Sequence, residues 1–287
     1  MRILVVGADG MLGQDVVREF SEDHELSTST LEGLGDAHAL DMTRMEDVRR
    51  VIEQLKPDLV INCAAHTAVD RCEEEEELAF RINGEGPGNL ARACAANDAR
   101  LFHISTDYVF DGEKGEPYVE EDHPNPRSVY GSSKLAGERA VMESGCEYFM
   151  GRIQWLYGAG GPNFAETMLG LTEKCPSLKV VDDQRGCPTW TVEVARCMRR
   201  ILELGEPGLY HMSARGETTW FGFTQALLRA AGKGDFPLEP CATEEFPRPA
   251  HRPRNSVLNN AHLARTIGDE MLPWDAAIDD FLRSRNT

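Results

Sequence analysis

Along the first half of the chain, short apolar runs alternate with stretches in which apolar residues recur every three or four positions. Residues 3–6 are Ile-Leu-Val-Val, and similar runs stand at 59–63 and 101–105, each with the length and composition of a strand buried on both faces. Residues 25–30 and 147–152 are further strand candidates. Between them, Val16, Val17 and Phe20 share one face of a helix over 11–20. Met45, Val48, Val51, Ile52 and Leu55 do the same over 44–56, which stops at Pro57. Residues 73–97 are long and helical in pattern, though Pro87 and its flanking glycines interrupt them, and 130–144 has no internal proline. Strands alternating with helices predict an α/β fold with a doubly wound parallel sheet covered on both faces.

The second half is less regular. Helical patterns cover 164–174, 191–204, 219–231 and 274–283, while 158–163 and 235–253 are loop-rich, the latter with five prolines. This predicts a nucleotide-binding domain over 1–152 and a smaller, partly interleaved α/β substrate lobe over 153–287. Some later segments, about 180–215, return to the first domain. The acidic run 73–77 reads as a solvated helix start, where carboxylates suit the positive end of the dipole.

Composition narrows the function. With 30 Lys+Arg against 48 Asp+Glu, the 287-residue chain has a net charge of −18, which argues against nucleic acid and against anionic lipid as partners. No apolar run approaches 18 residues and the N-terminal run is too short for a signal core, so no membrane association and a cytoplasmic location are expected. The eight cysteines include no C-x-x-C pair, and no residue set is spaced for a metal. Only six of the basic residues are lysines, at 56, 114, 134, 174, 179 and 233, so a lysine in a chemically suggestive place carries weight.

Gly7-Ala8-Asp9-Gly10-Met11-Leu12-Gly13 lies between the first strand and the first helix. Gly7, Gly10 and Gly13 in this spacing allow a tight turn, close approach of the backbone to a diphosphate, and close helix–sheet packing. This makes the sheet Rossmann-like. At the end of the second strand stand Ser29 and Thr30, with no acid to hold ribose hydroxyls. Hydroxyls accommodate a 2′-phosphate, which favours NADPH, while the lack of an arginine there leaves NADH open. Asp41 and Met42 either flank the adenine or cap the helix that follows.

Tyr130 and Lys134 stand four apart on one helix face. A phenol is a poor acid at neutral pH, and a neighbouring ammonium lowers its pKa, so the pair suits proton exchange with a ketone or alcohol. Thr106 follows the 101–105 strand, where a hydroxyl reaches the carboxyl end of the sheet; alternatively it bonds its own turn. Asn163 opens a helix, and Arg252 and Arg254 flank Pro253. All three are candidates to hold the diphosphate of a substrate, the alternative being that both arginines offset nearby acids.

These motifs together resemble the extended short-chain dehydrogenase/reductases, and within them the dTDP-4-dehydrorhamnose reductase branch. The resemblance runs nearly end to end. It is carried by the glycine turn, by residues 62–70, 105–112 and 129–138, and by Trp155-Leu156-Tyr157-Gly158, 183–189 and 252–256. It implies Thr106, Tyr130 and Lys134 as the catalytic set. Gly7, Gly10, Met11, Leu12, Asp41, Met42, Ala64 and Ala65 would line the cofactor, with Tyr130 and Lys134 at its nicotinamide end. Thr67, Val69, Tyr108 and Trp155 would line the sugar. Cys63 stands where the family often has alanine. Some members dimerise through magnesium held by glutamates. Asp15 matches one of these, but Val192 falls at another with Glu193 beside it, so a homodimer stays open and a magnesium-bridged one is disfavoured. The implied activity is NADPH-dependent reduction of the C4 ketone of a dTDP-sugar, dTDP-4-dehydro-β-L-rhamnose. The alternatives are a reductase or epimerase of another sugar nucleotide, or a regulatory subunit resembling the β-subunit of methionine adenosyltransferase, which binds NADP without turnover.

Overall fold

A computed structural model describes residues 1–285. Seven parallel strands form the central sheet: β1 (Arg2–Val6), β2 (Glu25–Thr30), β3 (His38–Ala39), β4 (Leu59–Asn62), β5 (Arg100–Thr106), β6 (Tyr148–Ile153) and β11 (Gly208–His211). Their spatial order is β3-β2-β1-β4-β5-β6-β11. The strand order therefore reverses between β1 and β4, which is where such sheets open a crevice at their carboxyl ends.

Both faces are covered, as the continuous apolar runs require. Ile3 and Val5 of β1 point into one core with Val16 and Phe20 of α1 (Met11–Phe20) and Val194, Met198 and Ile201 of α8 (Thr191–Leu204). Leu4 and Val6 point the other way. There they meet Val48, Val51 and Ile52 of α2 (Met45–Leu55), Leu90 and Cys94 of α5 (Gly86–Ala96), and Val141 of α6 (Val129–Met142). Period-two alternation with both sets buried is what made these strands read as apolar throughout.

The 73–97 stretch is more continuous than its glycines and proline suggest. After α3 (Val69–Glu74), α4 (Glu76–Phe80) runs through a π-helical turn (Arg81–Glu85) directly into α5. Pro87 is the second residue of α5, directly after the π-helical turn.

The rest of the second half builds three small sheets and a third core. β7 (Leu156–Tyr157) pairs with β10 (Thr189–Trp190), and β9 (Arg185–Gly186) with β12 (Thr218–Thr219). β8 (Leu178–Val181) pairs with β13 (Leu238–Cys241), which lies inside the proline-rich stretch. Tyr157, Leu169 of α7 (Phe164–Leu171), Phe223 of α9 (Trp220–Ala230) and Phe281 of α11 (Ile278–Ser284) form the core. The helical pattern at 274–283 is realised only from residue 278. Upstream, Pro273 bridges to Arg215 and the Trp274 N–H bonds the Arg215 carbonyl, so this segment is extended and then turns. Leu263, on α10 (Ala261–Thr266), and Met271 join the first core, beside β11. Among the described residues no helix is long and apolar enough to cross a membrane.

Because α8 covers the same sheet face as α1, its core residues should matter as much as those of the N-terminal half. Met198 is fully buried, and Met198→Ala should cost about 2–5 kcal/mol in denaturant unfolding with the native circular dichroism retained. Unchanged stability would mean that α8 is not an integral wall of the sheet.

Candidate active site

At the end of β1 the chain must turn under β4. Gly7 has φ +75°, and a Cβ there would lie 2.8–2.9 Å from the Ala64 N, Cα and Cβ atoms. A Cβ on Gly13 would lie 2.1 Å from the Gly7 carbonyl oxygen. These two glycines are demanded by the chain itself. Gly10 differs: its Cβ would meet only the Gly7 oxygen, at 3.3 Å. It is exposed at the N-cap of α1, which has no side-chain cap and no acid in its first turn. The helix thus presents uncapped amides to the crevice, an arrangement suited to an anion.

A cavity of about 910 Å³ runs from this turn along the carboxyl ends of β1, β4 and β5. Its far end holds Thr106, Tyr108, Tyr130 and Lys134. Ser128 caps α6 by accepting the Gly131 N–H at 3.1 Å, and Glu73 Oε1 accepts the Val129 N–H at 2.9 Å, which together fix the start of the helix that carries Tyr130. The Tyr130 and Tyr108 rings meet edge to face at 5.3 Å. Contrary to the lowering expected from Lys134, burial pushes the Tyr130 phenol above its ordinary pKa; the neighbouring Thr106 hydroxyl opposes the rise, and the charges of Asp107 and Tyr108 add to it. Lys134 is also buried and donates through Nζ to the Ile104 carbonyl at 2.6 Å. Burial brings its pKa down to about 8, opposed by the Glu138 carboxylate. Thr106 donates to Asp107 Oδ1 at 2.9 Å, and its oxygen accepts the Tyr108 N–H at 3.3 Å. Burial pushes the Asp107 carboxyl up to about 6.

The cavity brings together most of the residues singled out in the sequence. Gly7, Gly10, Met11 and Leu12 line its first end, with Thr30, Asp41 and Met42 beside them. Ala64, Ala65, Thr67 and Val69 form the β4 wall, and Trp155 and Asn163 close it from the second half. Gly13 lies beneath the turn and Ser29 is fully buried beside β1, because Ser29 and Thr30 point to opposite faces of β2. The Thr30 hydroxyl accepts the Gly33 and Leu34 N–H groups, so its lone pairs serve the loop. Asp41 accepts both the Thr43 N–H and the Thr43 hydroxyl in the turn before α2, whose N-terminus has no side-chain cap, so it lines the cavity and does not cap the helix. Asn163 spends its amide within the fold: Oδ1 accepts the Glu166 N–H, and Nδ2 donates to the Gly158 and Gly161 carbonyls. Arg252 and Arg254 are not in the cavity wall. Arg252 pairs with Asp70 at 3.0 Å, and Arg254, largely exposed, with Glu244 at 3.4 Å. The Trp155 ring stacks on Trp220, with centroids 3.5 Å apart, and packs against Gly186.

Several residues that shape the site escaped sequence reasoning. Asn83, in the π-helical turn, grips His66 through both backbone groups and donates to Ser133 Oγ, which ties the β4 loop to α6. Nothing local marks that asparagine. Glu138 and Arg152 form a buried ion pair under the site. Their signals were readable: a carboxylate one turn after Lys134, and a charge inside an apolar strand.

The chain matches the model of the RmlD substrate binding domain family over residues 1–286. It belongs to this family. Over 97% of its length it is 42% identical to the dTDP-4-dehydrorhamnose reductase of Streptomyces griseus, 92% of which is covered. Its structure resembles that of a dTDP-4-dehydrorhamnose reductase from Clostridium acetobutylicum, with 41% identity, a TM-score of 0.95 and all of both chains covered. The Bacillus anthracis dTDP-4-dehydrorhamnose reductase, solved in complex with NADP, is 34% identical with a TM-score of 0.93, over 99% of each chain. The fold is thus that of a family whose relatives include dTDP-4-dehydrorhamnose reductases.

The three glycines make separable predictions. Gly10→Ala should leave unfolding stability within about 1 kcal/mol of the parent, since little stands in its way, while NADPH affinity falls at least about tenfold as the added methyl enters the crevice. Titration calorimetry of the variant checks this, and an unchanged affinity would show that no ligand approaches Gly10.

Proposed function

We propose that the protein is an NADPH-dependent reductase that converts the C4 ketone of dTDP-4-dehydro-β-L-rhamnose into the hydroxyl of dTDP-L-rhamnose, in the cytoplasm. The observation that carries this reading is the single continuous cavity from the uncapped α1 terminus to Tyr130. A dinucleotide laid along it has its diphosphate at the helix amides and its nicotinamide near the phenol. On this reading residues 1–152 supply most of the cofactor site and 153–287 most of the sugar site.

The cofactor fits the residues present. Gly10 leaves a space that a side chain would fill, and Met11 and Leu12 offer first-turn amides to the diphosphate. Asp41, Met42, Ala64 and Ala65 wall the adenosine end. No carboxylate stands at the end of β2 to repel a 2′-phosphate, which supports NADPH, with NADH also usable. When bound, NADPH supplies the hydride for the carbonyl carbon.

The protein supplies the proton. With its pKa raised by burial, Tyr130 is a neutral phenol at pH 7 and gives its proton to the C4 oxygen. That leaves a buried phenolate, an expensive species unless a cation is near. Lys134, still mostly an ammonium at neutral pH, offsets it and holds the nicotinamide ribose. Thr106 stands beside Tyr130 in the cavity wall and steadies the carbonyl when its hydroxyl turns from Asp107 Oδ1 toward the substrate. Thr67, Val69, Tyr108 and Trp155 contact the sugar, and Arg252 is better placed than Arg254 for the substrate diphosphate, since its partner Asp70 adjoins Val69 of the cavity wall whereas Arg254 is largely exposed.

Tyr130→Phe should bind NADPH as the parent does and lose roughly 10²–10⁴-fold in turnover, the range for general acid catalysis. Parallel measurement of NADPH affinity and steady-state rate decides it, and near-normal turnover would remove Tyr130 from the mechanism.

A further inference from the structure

Below Tyr130, α6 carries a second buried charged group that the proposed chemistry does not use. Glu138 lies one turn beyond Lys134, and the two residues are 1% and 2% exposed. Ionised groups buried this far from water are costly unless matched. Here each is matched by β5 or β6. Arg152 of β6, itself 2% exposed, grips Glu138 with a two-pronged contact, Nε to Oε1 at 2.9 Å and Nη2 to Oε2 at 2.7 Å. Ser105 Oγ donates to the same Oε1 at 2.5 Å. Lys134 Nζ donates to the carbonyl of Ile104, the residue before Ser105. The two α6 side chains are therefore tied to consecutive residues of the strand that ends in Thr106.

The charges sum to one net positive unit beneath the cavity: Lys134 and Arg152 against Glu138. The other titratable groups facing Lys134 and Arg152 add no compensating negative charge at pH 7. Burial pushes the Cys63 thiol, at the end of β4, up to about 12 and raises the Tyr130 phenol. Burial, with the Lys134 charge, lowers His103 on β5; burial, with the Arg152 charge, brings His211 on β11 down to about 3. Glu138 is the carboxylate that acts on Lys134. Arg152 packs its guanidinium 5.0 Å from the Phe110 ring centre, and its Nη1 has no partner among the described residues. Its bonds from two other nitrogens leave Glu138 little freedom to move.

We propose that Glu138 and Arg152 are positioning residues: Glu138 keeps Lys134 an ammonium aimed across β5 at the cavity, and Arg152 clamps Glu138 where it does so. The consequence for turnover rests on reading Tyr130 and Lys134 as the reacting pair; the first test does not use turnover.

With six lysines, selective ¹³C labelling of the lysine side chains gives few signals, and Lys134→Met identifies the one of interest. In Glu138→Gln the Lys134 titration midpoint should fall by about one pH unit or more, the usual effect of losing an adjacent opposite charge. Glu138→Asp, which keeps the charge on a shorter arm, should recover part of that shift. An unchanged midpoint in folded Glu138→Gln overturns the proposal. Should the lone buried arginine prevent that variant from folding, the pair Glu138→Gln/Arg152→Met is measured in its place, with a smaller downward shift expected because the Arg152 charge that disfavours the ammonium is lost too, and no downward shift counts against the proposal. In turnover, the loss of rate as pH rises through the Lys134 titration should move to lower pH by the same amount in Glu138→Gln, while a purely structural role would lower the rate at all pH values alike. A shifted Lys134 midpoint in a protein that reduces no sugar nucleotide leaves this proposal standing and removes the reductase reading.

Discussion

The site depends on how closely the backbone at the end of β1 approaches the start of the loop after β4. With less than 3 Å between a would-be Gly7 Cβ and Ala64, and about 2 Å between a would-be Gly13 Cβ and the Gly7 carbonyl, only glycine lets strand, turn and helix meet there. That contact brings the first turn of α1 to the carboxyl edge of the sheet at the point where the strand order reverses. From it follow the direction of the uncapped amides and the line of the cavity toward β5. The Ala64–Thr67 wall has its place for the same reason, and Asn83 locks that wall to the helix bearing Tyr130 and Lys134.

A second constraint acts at the other end. The reacting side chains must be dry enough for electrostatics to be strong, yet a dry lysine tends to lose its proton. The fold answers with opposite charges and backbone carbonyls rather than with water. Lys134 faces Ile104 and Glu138, and Glu138 faces Arg152 and Ser105. Burial keeps the phenol neutral, with the Asp107 charge adding to that effect, whereas the Glu138 carboxylate opposes the loss of the ammonium's proton.

Much of this was legible in the chain. Apolar runs of four to seven residues alternating with helical spacing give a parallel sheet, and the glycines at 7, 10 and 13 are readable because φ and contact distance leave few alternatives. Lys134 stood out because lysines are scarce. What was not legible depended on long-range contacts. The helical run over 76–96 takes in Pro87 just after a π-helical turn, a local adjustment with no sequence mark. β13 lies in a proline-rich stretch because its partner β8, some 60 residues earlier, supplies the pairing. Ser29 and Thr30 looked equivalent, yet strand alternation sends only Thr30 to the cavity. The acid partners of Arg252 and Arg254, one distant and one ten residues upstream, were offered as an alternative without being identifiable.

The central claim is that one cavity holds a dinucleotide and a 4-keto dTDP-sugar so that Tyr130 protonates the carbonyl oxygen as hydride reaches the carbon. The most direct measurement is NADPH oxidation by the purified protein with freshly made dTDP-4-dehydro-β-L-rhamnose, with the sugar product identified by NMR. The account predicts one dTDP-L-rhamnose formed for each NADPH consumed. NADPH binding without consumption, or consumption only with a different sugar nucleotide, would contradict it.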